Sequence, residues 1–250
     1  MFIAIASLLM QPGLQTGFLD RSLTVGATTY HYQVYVPKQF DATRTWPVIL
    51  ALHGSGERGT DGRKQTTEGI GPAIRAHPER FPAIVVMPQA PPDKVWLGDV
   101  ADAAMRMLDA ATAEFHGDRS RTYLTGLSIG GYGTWYLAYQ HPDRFAAIVP
   151  VCGGVIRPPT ADATQSMPAA EAQADPYTFV ARRVRGIPTW IFHGADDRII
   201  PVSESRHMRD ALTAVGGTVR YTEYPGVGHG SWVPAYGEAQ LWQWLLQQHR

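Results

Sequence analysis

Short, continuous apolar runs recur along the chain, and polar or glycine-rich residues separate them. Apolar runs of this length, bounded in this way, are typical of strands that are buried on both faces of a sheet. The pattern therefore predicts a central sheet, with one further strand close to the C-terminal end. The predicted strands are Val48–Leu52, Ala83–Met87, Thr122–Thr125, Ala147–Val151, Thr189–Phe192 and Val219–Tyr224.

The residues before this sheet follow a different pattern. In Tyr30–Val36, apolar or aromatic residues occupy every second position, as in a strand with one buried face. A second candidate strand, Leu23–Gly26, precedes it across a tight turn. We predict that the two segments pair as an antiparallel hairpin at the N-terminal side of the sheet.

Between several predicted strands, apolar residues recur every three or four positions, which is the period of an amphipathic helix. This spacing predicts helices over residues 101–115 and 208–215, and a closing helix around Leu241–Leu246. Alternation of strands and helices indicates an α/β architecture, with a mostly parallel sheet and helices on both faces.

The stretch from Gly153 to Gly186 interrupts this alternation. It is rich in Ala and Pro and contains one predicted short helix, near Tyr177–Arg185. The stretch is either a long connection or a small lid. It is too short for a large cap domain.

All these elements fit one domain over residues 18–250 of the 250-residue chain. Residues 1–17 are predicted to be an N-terminal tail. Its apolar run Phe2–Met10 is either the remnant of an export signal or plain disordered chain, so secreted, periplasmic and cytoplasmic locations all stay open. No other segment is long and apolar enough to predict a membrane span.

Charge and cysteine content exclude several classes of partner. Lys and Arg number 22, as do Asp and Glu, and neither sign forms a block, so we expect no nucleic-acid or membrane-surface partner. The single cysteine, Cys152, follows an apolar run and is predicted to be a small core residue, not a nucleophile. No cluster has metal-site spacing and no dinucleotide motif is complete, so we expect neither a metal nor a cofactor. Monomer and homodimer both stay open.

The most informative motif is Gly126-Leu127-Ser128-Ile129-Gly130, a G-x-S-x-G sequence between a predicted strand and residues that read as a helix. In that context the motif indicates a nucleophile elbow, because glycines permit the tight turn that exposes the serine hydroxyl. The alternative is an ordinary serine in a glycine-rich loop. We predict that Ser128 is a nucleophile.

A serine nucleophile needs a base, usually a histidine that a carboxylate orients. With the chain order Ser, acid, His, the candidates for the base are His207, His229 and His249. His207 falls in a predicted helix and His249 is the penultimate residue. His229 lies in a glycine-rich loop after the last predicted strand and is the predicted base.

The acid follows the strand Thr189–Phe192, where Asp196 and Asp197 are adjacent. Physical reasoning from the residues does not separate two neighbours in a loop. His193, just before them, is predicted to be a structural hydrogen-bonding residue.

The order of these motifs resembles an α/β-hydrolase over nearly the whole chain. The segment Leu52-His53-Gly54-Ser55-Gly56-Glu57-Arg58-Gly59 is similar to the small serine esterases related to polyhydroxybutyrate depolymerases and feruloyl esterases, some of whose relatives are labelled predicted peptidases. The resemblance implies the α/β-hydrolase fold. Its H-G-x-x-D-x-x-[VI]-P pattern puts Asp197 in the place of the catalytic acid, with Asp196 the alternative.

The same resemblance implies an oxyanion hole and part of a substrate site. The backbone N–H groups of Ile129 and Ser55 would hold the oxyanion, with Gly56 the alternative to Ser55. His53 and Glu57 would shape that loop. Trp96 and Trp232 are expected either to line the substrate pocket or to serve only in packing.

These features predict a cofactor-independent serine hydrolase of carboxylic esters that works through an acyl-enzyme. An aryl, feruloylated or polymeric ester is the expected substrate. A serine peptidase is the first alternative, because the same three side chains cleave amides. A non-catalytic binding protein with the same fold is the second.

Overall fold

In a computed structural model, which describes residues 15–157 and 167–250, eight strands form one sheet in the order β1-β2-β4-β3-β5-β6-β7-β8. All pairs from β4 to β8 are parallel, whereas β2 is antiparallel to both β1 and β4. The strands are β1 Gly17–Val25, β2 Thr28–Val36, β3 Trp46–Leu52, β4 Ile84–Pro88, β5 Gly117–Leu127, β6 Ala147–Val151, β7 Thr189–Gly194 and β8 Val219–Tyr224.

Helices cover both faces of this sheet, so the predicted fold class is confirmed. One apolar core lies beneath α2, α3, α5 and α6, and a second lies beneath α1, α7 and α8 on the opposite face. The helices are α1 Ile70–Ala76, α2 Gly98–Glu114, α3 Ile129–Gln140, α4 Pro168–Glu171, α5 Pro176–Val184, α6 Ser203–Ala214, α7 Trp232–Gly237 and α8 Ala239–Leu246.

The largest departures from the predicted strands are in β1 and β5, which are both longer than predicted. β1 begins at Gly17, before the predicted start at Leu23. The pattern missed this part of β1 because its polar residues lie at the more exposed positions of a strand at the sheet edge. β5 begins at Gly117, five residues before the predicted start at Thr122, and its first half is polar and only partly buried. Hydrophobicity detects only the buried half of β5. That half ends at Leu127 and delivers Ser128 to the edge of the sheet.

The interrupting stretch 153–186 contributes a packed helix. Val180, Ala181 and Val184 of α5 are buried, and α5 packs against α3 and α6. This part of the stretch therefore belongs to the layer that covers the sheet. Whether residues 158–166 act as a lid lies outside the described residues.

The predicted tail of residues 1–17 lies outside the described residues up to position 14, and Gly17 already belongs to β1. The export-signal interpretation of Phe2–Met10 concerns that undescribed part. Among the described residues, no helix combines the length and the apolar character needed to cross a bilayer. The single-domain boundaries stay a prediction.

Candidate active site

The candidate residues gather at one edge of the sheet. Ser128 follows β5, Asp197 follows β7 and His229 follows β8, and these three strands are parallel, with β6 between β5 and β7. Because parallel strands end at the same edge, residues far apart in the chain meet there.

Ser128 occupies a strained turn between β5 and α3. Its backbone has φ 55° and ψ −120°, a region that side-chain-bearing residues rarely adopt. The Ser128 N–H donates to the Val151 carbonyl at 3.0 Å, and the Ser128 carbonyl accepts from the Gly131 N–H at 2.8 Å. These bonds tie the turn to β6 on one side and to the first turn of α3 on the other. The predicted elbow geometry is present.

The glycine after the elbow allows α3 to approach the sheet closely. A Cβ atom built on Gly130 would lie 2.2 Å from the Leu52 carbonyl oxygen, which is too close for any side chain. Only glycine lets the start of α3 pack this close to the end of β3.

Three side chains form a connected hydrogen-bonded chain. His229 Nε2 lies 2.9 Å from Ser128 Oγ, and His229 Nδ1 lies 2.7 Å from Asp197 Oδ2. A carboxylate only accepts, so Nδ1 carries the proton and Nε2 of the neutral ring is left to accept from the serine hydroxyl. This arrangement can remove a proton from Ser128.

The Asp197 side chain is fully buried and surrounded by donors. The backbone N–H groups of Ile199 and Ile200 donate to Oδ1 at 2.8 and 2.9 Å. Burial alone would raise the pKa of the Asp197 carboxyl, but the bonds from His193, His229 and these two N–H groups outweigh it and hold that pKa well below its usual range. The neighbour Asp196 is exposed, and its side chain makes no hydrogen bond among those formed by the described residues.

His193 supplies the fourth donor to this carboxylate. Its Nε2 lies 3.2 Å from Asp197 Oδ2 and 3.0 Å from the Ile200 carbonyl oxygen, so both neighbours are acceptors and Nε2 carries the hydrogen. The other nitrogen, Nδ1, lies 2.7 Å from Ser205 Oγ. His193 is fully buried and anchors the Asp197 loop onto α6, in agreement with its expected structural role.

A close backbone contact brings the His229 loop onto the Asp197 loop. The Asp196 N–H donates to the Val227 carbonyl at 2.9 Å. A Cβ atom on Gly194 would lie 2.2 Å from the Gly228 carbonyl oxygen and 2.3 Å from that of Val227. The two loops can therefore approach this closely only because Gly194 has no side chain.

The loop after β3 is fixed by two buried side chains. The Ala90 N–H donates to His53 Nε2 at 2.9 Å, so His53 Nδ1 carries the proton and donates to the Gly54 carbonyl at 2.6 Å. Burial lowers the pKa of the His53 imidazole to about 4, which keeps it neutral. On the other side of the same residue, Glu57 Oε2 accepts from the Gly54 N–H at 3.0 Å. Both side chains shape the loop as expected.

This loop lies next to the serine. A Cβ atom built on Gly54 would be 3.6 Å from Ser128 Cβ. Ser55 and Gly56 are exposed, and the N–H groups of Ser55 and Ile129 form no hydrogen bond within the described residues. Two free donors beside a serine hydroxyl are the arrangement that an oxyanion hole requires. The roles of Ser55 and Ile129 stay predictions.

Trp96 is buried and packs against His53. Its side chain is 1 % exposed, and its Nε1–H donates to the His53 carbonyl at 3.0 Å. The Trp96 ring also contacts the His53 ring at a centroid distance of 4.9 Å. Of the two interpretations, the burial of Trp96 favours packing behind the Gly54 loop.

Trp232 lies at the surface of the site. It is half-buried, its ring meets the His229 ring edge-on at 5.4 Å, and its Nε1–H donates to Glu68 Oε2 at 3.1 Å. Trp232 is therefore positioned to contact a group bound beside His229.

Sequence spacing missed one neighbour of the site. Cys152 follows β6 and is fully buried, with a positive φ of 38°. Its sulfur lies with the Asp197 carboxylate and the His229 ring in a group whose ligand atoms are all within 4.8 Å of one another. Burial raises the pKa of the Cys152 thiol to about 12. Only the sheet order, which puts β6 beside β7, brings these residues together.

The sheet order and the strand–serine–helix turn are those of an α/β-hydrolase. The model of the prolyl oligopeptidase family matches residues 95–249, and the chain belongs to this family.

Similar proteins include several esterases. Feruloyl esterase B of Thermothelomyces thermophilus is 27% identical over 252 aligned positions, covering 88% of this chain and 82% of that protein. A thermostable esterase of known crystal structure superposes with a TM-score of 0.78 at 32% identity, covering 93% of this chain and 63% of that one. An uncharacterized secreted protein of Arthroderma benhamiae is 27% identical over 207 residues, covering 76% of this chain.

This chain spans 22% of the length of the Arthroderma benhamiae protein and less than two thirds of the thermostable esterase. The resemblance to α/β-hydrolase esterases that the motifs indicate is confirmed by these matches.

We expect the substitution Gly194→Ala to separate the two loops that carry Asp197 and His229. Overpacking of this kind costs about 1–3 kcal/mol, so the free energy of unfolding should fall by that amount in urea denaturation. Gly230→Ala, in the His229 loop, is the control, because a Cβ there meets nothing within 4 Å. Equal stability of the two variants would contradict the close contact.

The depressed pKa of Asp197 predicts a pH dependence of stability. The pKa of an aspartate in an unfolded chain is about 3.9. Just below that pH, the folded state therefore binds fewer protons at Asp197 than the unfolded state does. Asp197 therefore stabilises the fold above about pH 4, and this contribution is lost as the pH falls toward the lower folded pKa.

Urea unfolding at pH 3 and pH 6 should show a smaller change in stability for Asp197→Asn than for the wild type. Asp196→Asn, at the exposed neighbour, should keep the wild-type change. The same change in both variants would refute the assignment of the shift to Asp197.

Proposed function

We propose that the protein is a serine hydrolase of carboxylic esters, in which Ser128, His229 and Asp197 form the catalytic triad. The observation that carries this proposal is the continuous chain from Ser128 Oγ through both ring nitrogens of His229 to the buried Asp197 carboxylate. Membership of a hydrolase family and similarity to esterases support the same conclusion.

Each residue has a defined role in the proposed mechanism. Ser128 Oγ attacks the ester carbonyl while His229 Nε2 takes its proton, and the same nitrogen then gives that proton to the leaving alcohol. Asp197 holds the Nδ1–H tautomer and stabilises the imidazolium that forms. Water, activated by His229, finally releases the acid from the acyl-enzyme.

The tetrahedral intermediate needs donors that are already in place. The N–H groups of Ser55 and Ile129 are proposed to supply them, since both are free and flank Ser128. The His53 side chain bonds the Gly54 carbonyl and the Glu57 side chain bonds the Gly54 N–H. The backbone that carries the Ser55 N–H is therefore already in place when charge develops.

An aromatic or otherwise apolar ester suits the surroundings of the site. Trp232 presents its ring beside His229. The exposed large apolar residues of the described chain are Ile199, 61 % exposed and two positions after Asp197, and Val233, 68 % exposed and next to Trp232. Apolar groups concentrated at this edge favour an aryl or polymeric ester over a small charged one.

Peptide hydrolysis is the second candidate, and the observation that favours it is the family itself. The proposed triad and oxyanion donors would serve an amide as well as an ester. A direct comparison of matched ester and peptide substrates separates the two functions.

We expect Ser128→Ala and His229→Ala each to lower kcat/KM for p-nitrophenyl esters by about 10⁴-fold or more, the scale seen when a triad member is removed. His249→Ala, at an exposed histidine, should stay within about twofold of the wild type. A fluorophosphonate probe should label the wild type and not Ser128→Ala. Undiminished turnover in Ser128→Ala would mean a different nucleophile, and failure to label the wild type would favour a binding protein.

A contact between Trp232 and an aryl acyl group predicts substrate-dependent effects. Aromatic pairs contribute about 0.5–1.5 kcal/mol, so Trp232→Ala should raise KM for methyl ferulate roughly 2- to 13-fold more than KM for methyl butyrate. Trp232→Phe keeps an aromatic ring but loses the bond to Glu68, so it should retain most of this preference. Equal effects on both esters would exclude an aryl subsite at Trp232.

A further inference from the structure

Directly beneath the proposed triad lies a group of buried side chains that the hydrolytic mechanism does not use. Cys152 and Ser231 are both fully buried. The Ser231 Oγ faces the Cys152 thiol and has no hydrogen-bond partner of normal geometry in the described part of the chain. A buried hydroxyl without a partner is unusual and points to a site that can accept a ligand.

The donor set around this point is suited to a metal ion. Cys152, Asp197 and His229 each offer one ligand atom, and these three atoms lie within 4.8 Å of one another. In a tetrahedral zinc site with bonds of about 2.0–2.3 Å, ligand atoms are roughly 3.3–3.8 Å apart. His229 Nδ1 and Asp197 Oδ2, now 2.7 Å apart, would move apart to reach that separation as the ion takes the place of the Nδ1 proton.

We propose that Cys152, Asp197 and His229 form a binding site for a thiophilic divalent cation such as Zn²⁺ or Cd²⁺, and that occupation of this site inhibits the enzyme. Binding breaks the S–H bond and releases its proton to solvent, and the sulfur forms a bond to the ion. Thiolate and carboxylate together then balance the two positive charges. Ser231 Oγ lies beside the sulfur as a neutral fourth neighbour.

Inhibition follows from the chemistry of the imidazole. A histidine ligates a metal through one nitrogen in its neutral form, and the other nitrogen carries the proton. If the ion binds Nδ1, the proton moves to Nε2, which can no longer accept from Ser128. If the ion binds Nε2, it occupies the position at which Nε2 would accept the Ser128 proton. The general base is lost in both cases, and this consequence rests on the proposed function.

The ligand types also determine which ions bind. Sulfur and imidazole select zinc-like ions, whereas Mg²⁺ and Ca²⁺ prefer sites made entirely of oxygen. The Asp197 side chain is fully buried, whereas the His229 side chain is 16% exposed. An ion would therefore reach the site from the His229 side.

The binding test uses Cd²⁺ with the Ser128→Ala variant of the 250-residue chain, so that it does not depend on activity. We expect one Cd²⁺ per chain, an ultraviolet thiolate-to-cadmium charge-transfer band, and release of one proton per ion. The nearly isosteric Cys152→Ser change in this background should abolish the band, whereas Asp196→Asn, a control at the exposed neighbour of Asp197, should keep it. Absence of the band in the starting protein, or its persistence in Cys152→Ser, would overturn the site.

The inhibition test uses the otherwise wild-type protein. The Cd²⁺ concentration for half-inhibition of ester hydrolysis should rise at least tenfold in Cys152→Ser, and Mg²⁺ should not inhibit either protein. Equal sensitivity of the two proteins would refute inhibition through Cys152. If neither hydrolyses esters, the proposed function fails while the charge-transfer band still decides whether the metal site exists.

Discussion

The buried carboxylate of Asp197 is the interaction on which the candidate site depends. Four N–H donors converge on it, two from its own loop and one each from His193 and His229. A charge removed from water in this way is stable only if donors replace the lost hydration. The loops after β7 and β8 are therefore held together by a requirement of electrostatics, and the orientation of His229 toward Ser128 follows from it.

The backbone makes this convergence possible. The missing side chain at Gly194 lets the His229 loop approach the end of β7, and the missing side chain at Gly130 lets α3 approach the end of β3. Ser128 sits between them in a conformation that is unfavourable by itself. Hydrogen bonds to β6 and α3 keep it there, so the rigidity of the sheet sets the serine–imidazole distance.

The fold class could be predicted because the apolar runs mark the strands. Ser128, His229 and the pair Asp196–Asp197 could be proposed because each comes after one of these runs. The choice between Asp196 and Asp197 could not be derived from the residues alone and rested on resemblance, since burial of one and exposure of the other arise from tertiary packing. Trp96 illustrates the same limit, because its loop position gave no sign that the ring lies behind the Gly54 loop. The neighbours of Cys152 depend on strand order, which hydrophobic periodicity does not encode.

The family name and the esterase relatives point to different substrates, and the proposed mechanism is compatible with both. In the proposed mechanism the hydrogen-bonded chain acts on a carbonyl carbon, which an ester and an amide both have. Discrimination must come from the groups around it, where Trp232, Ile199 and Val233 offer apolar surface. Cys152 is fully buried beside the Asp197 carboxylate and is not part of this surface, so it would not contribute to the selection of a substrate.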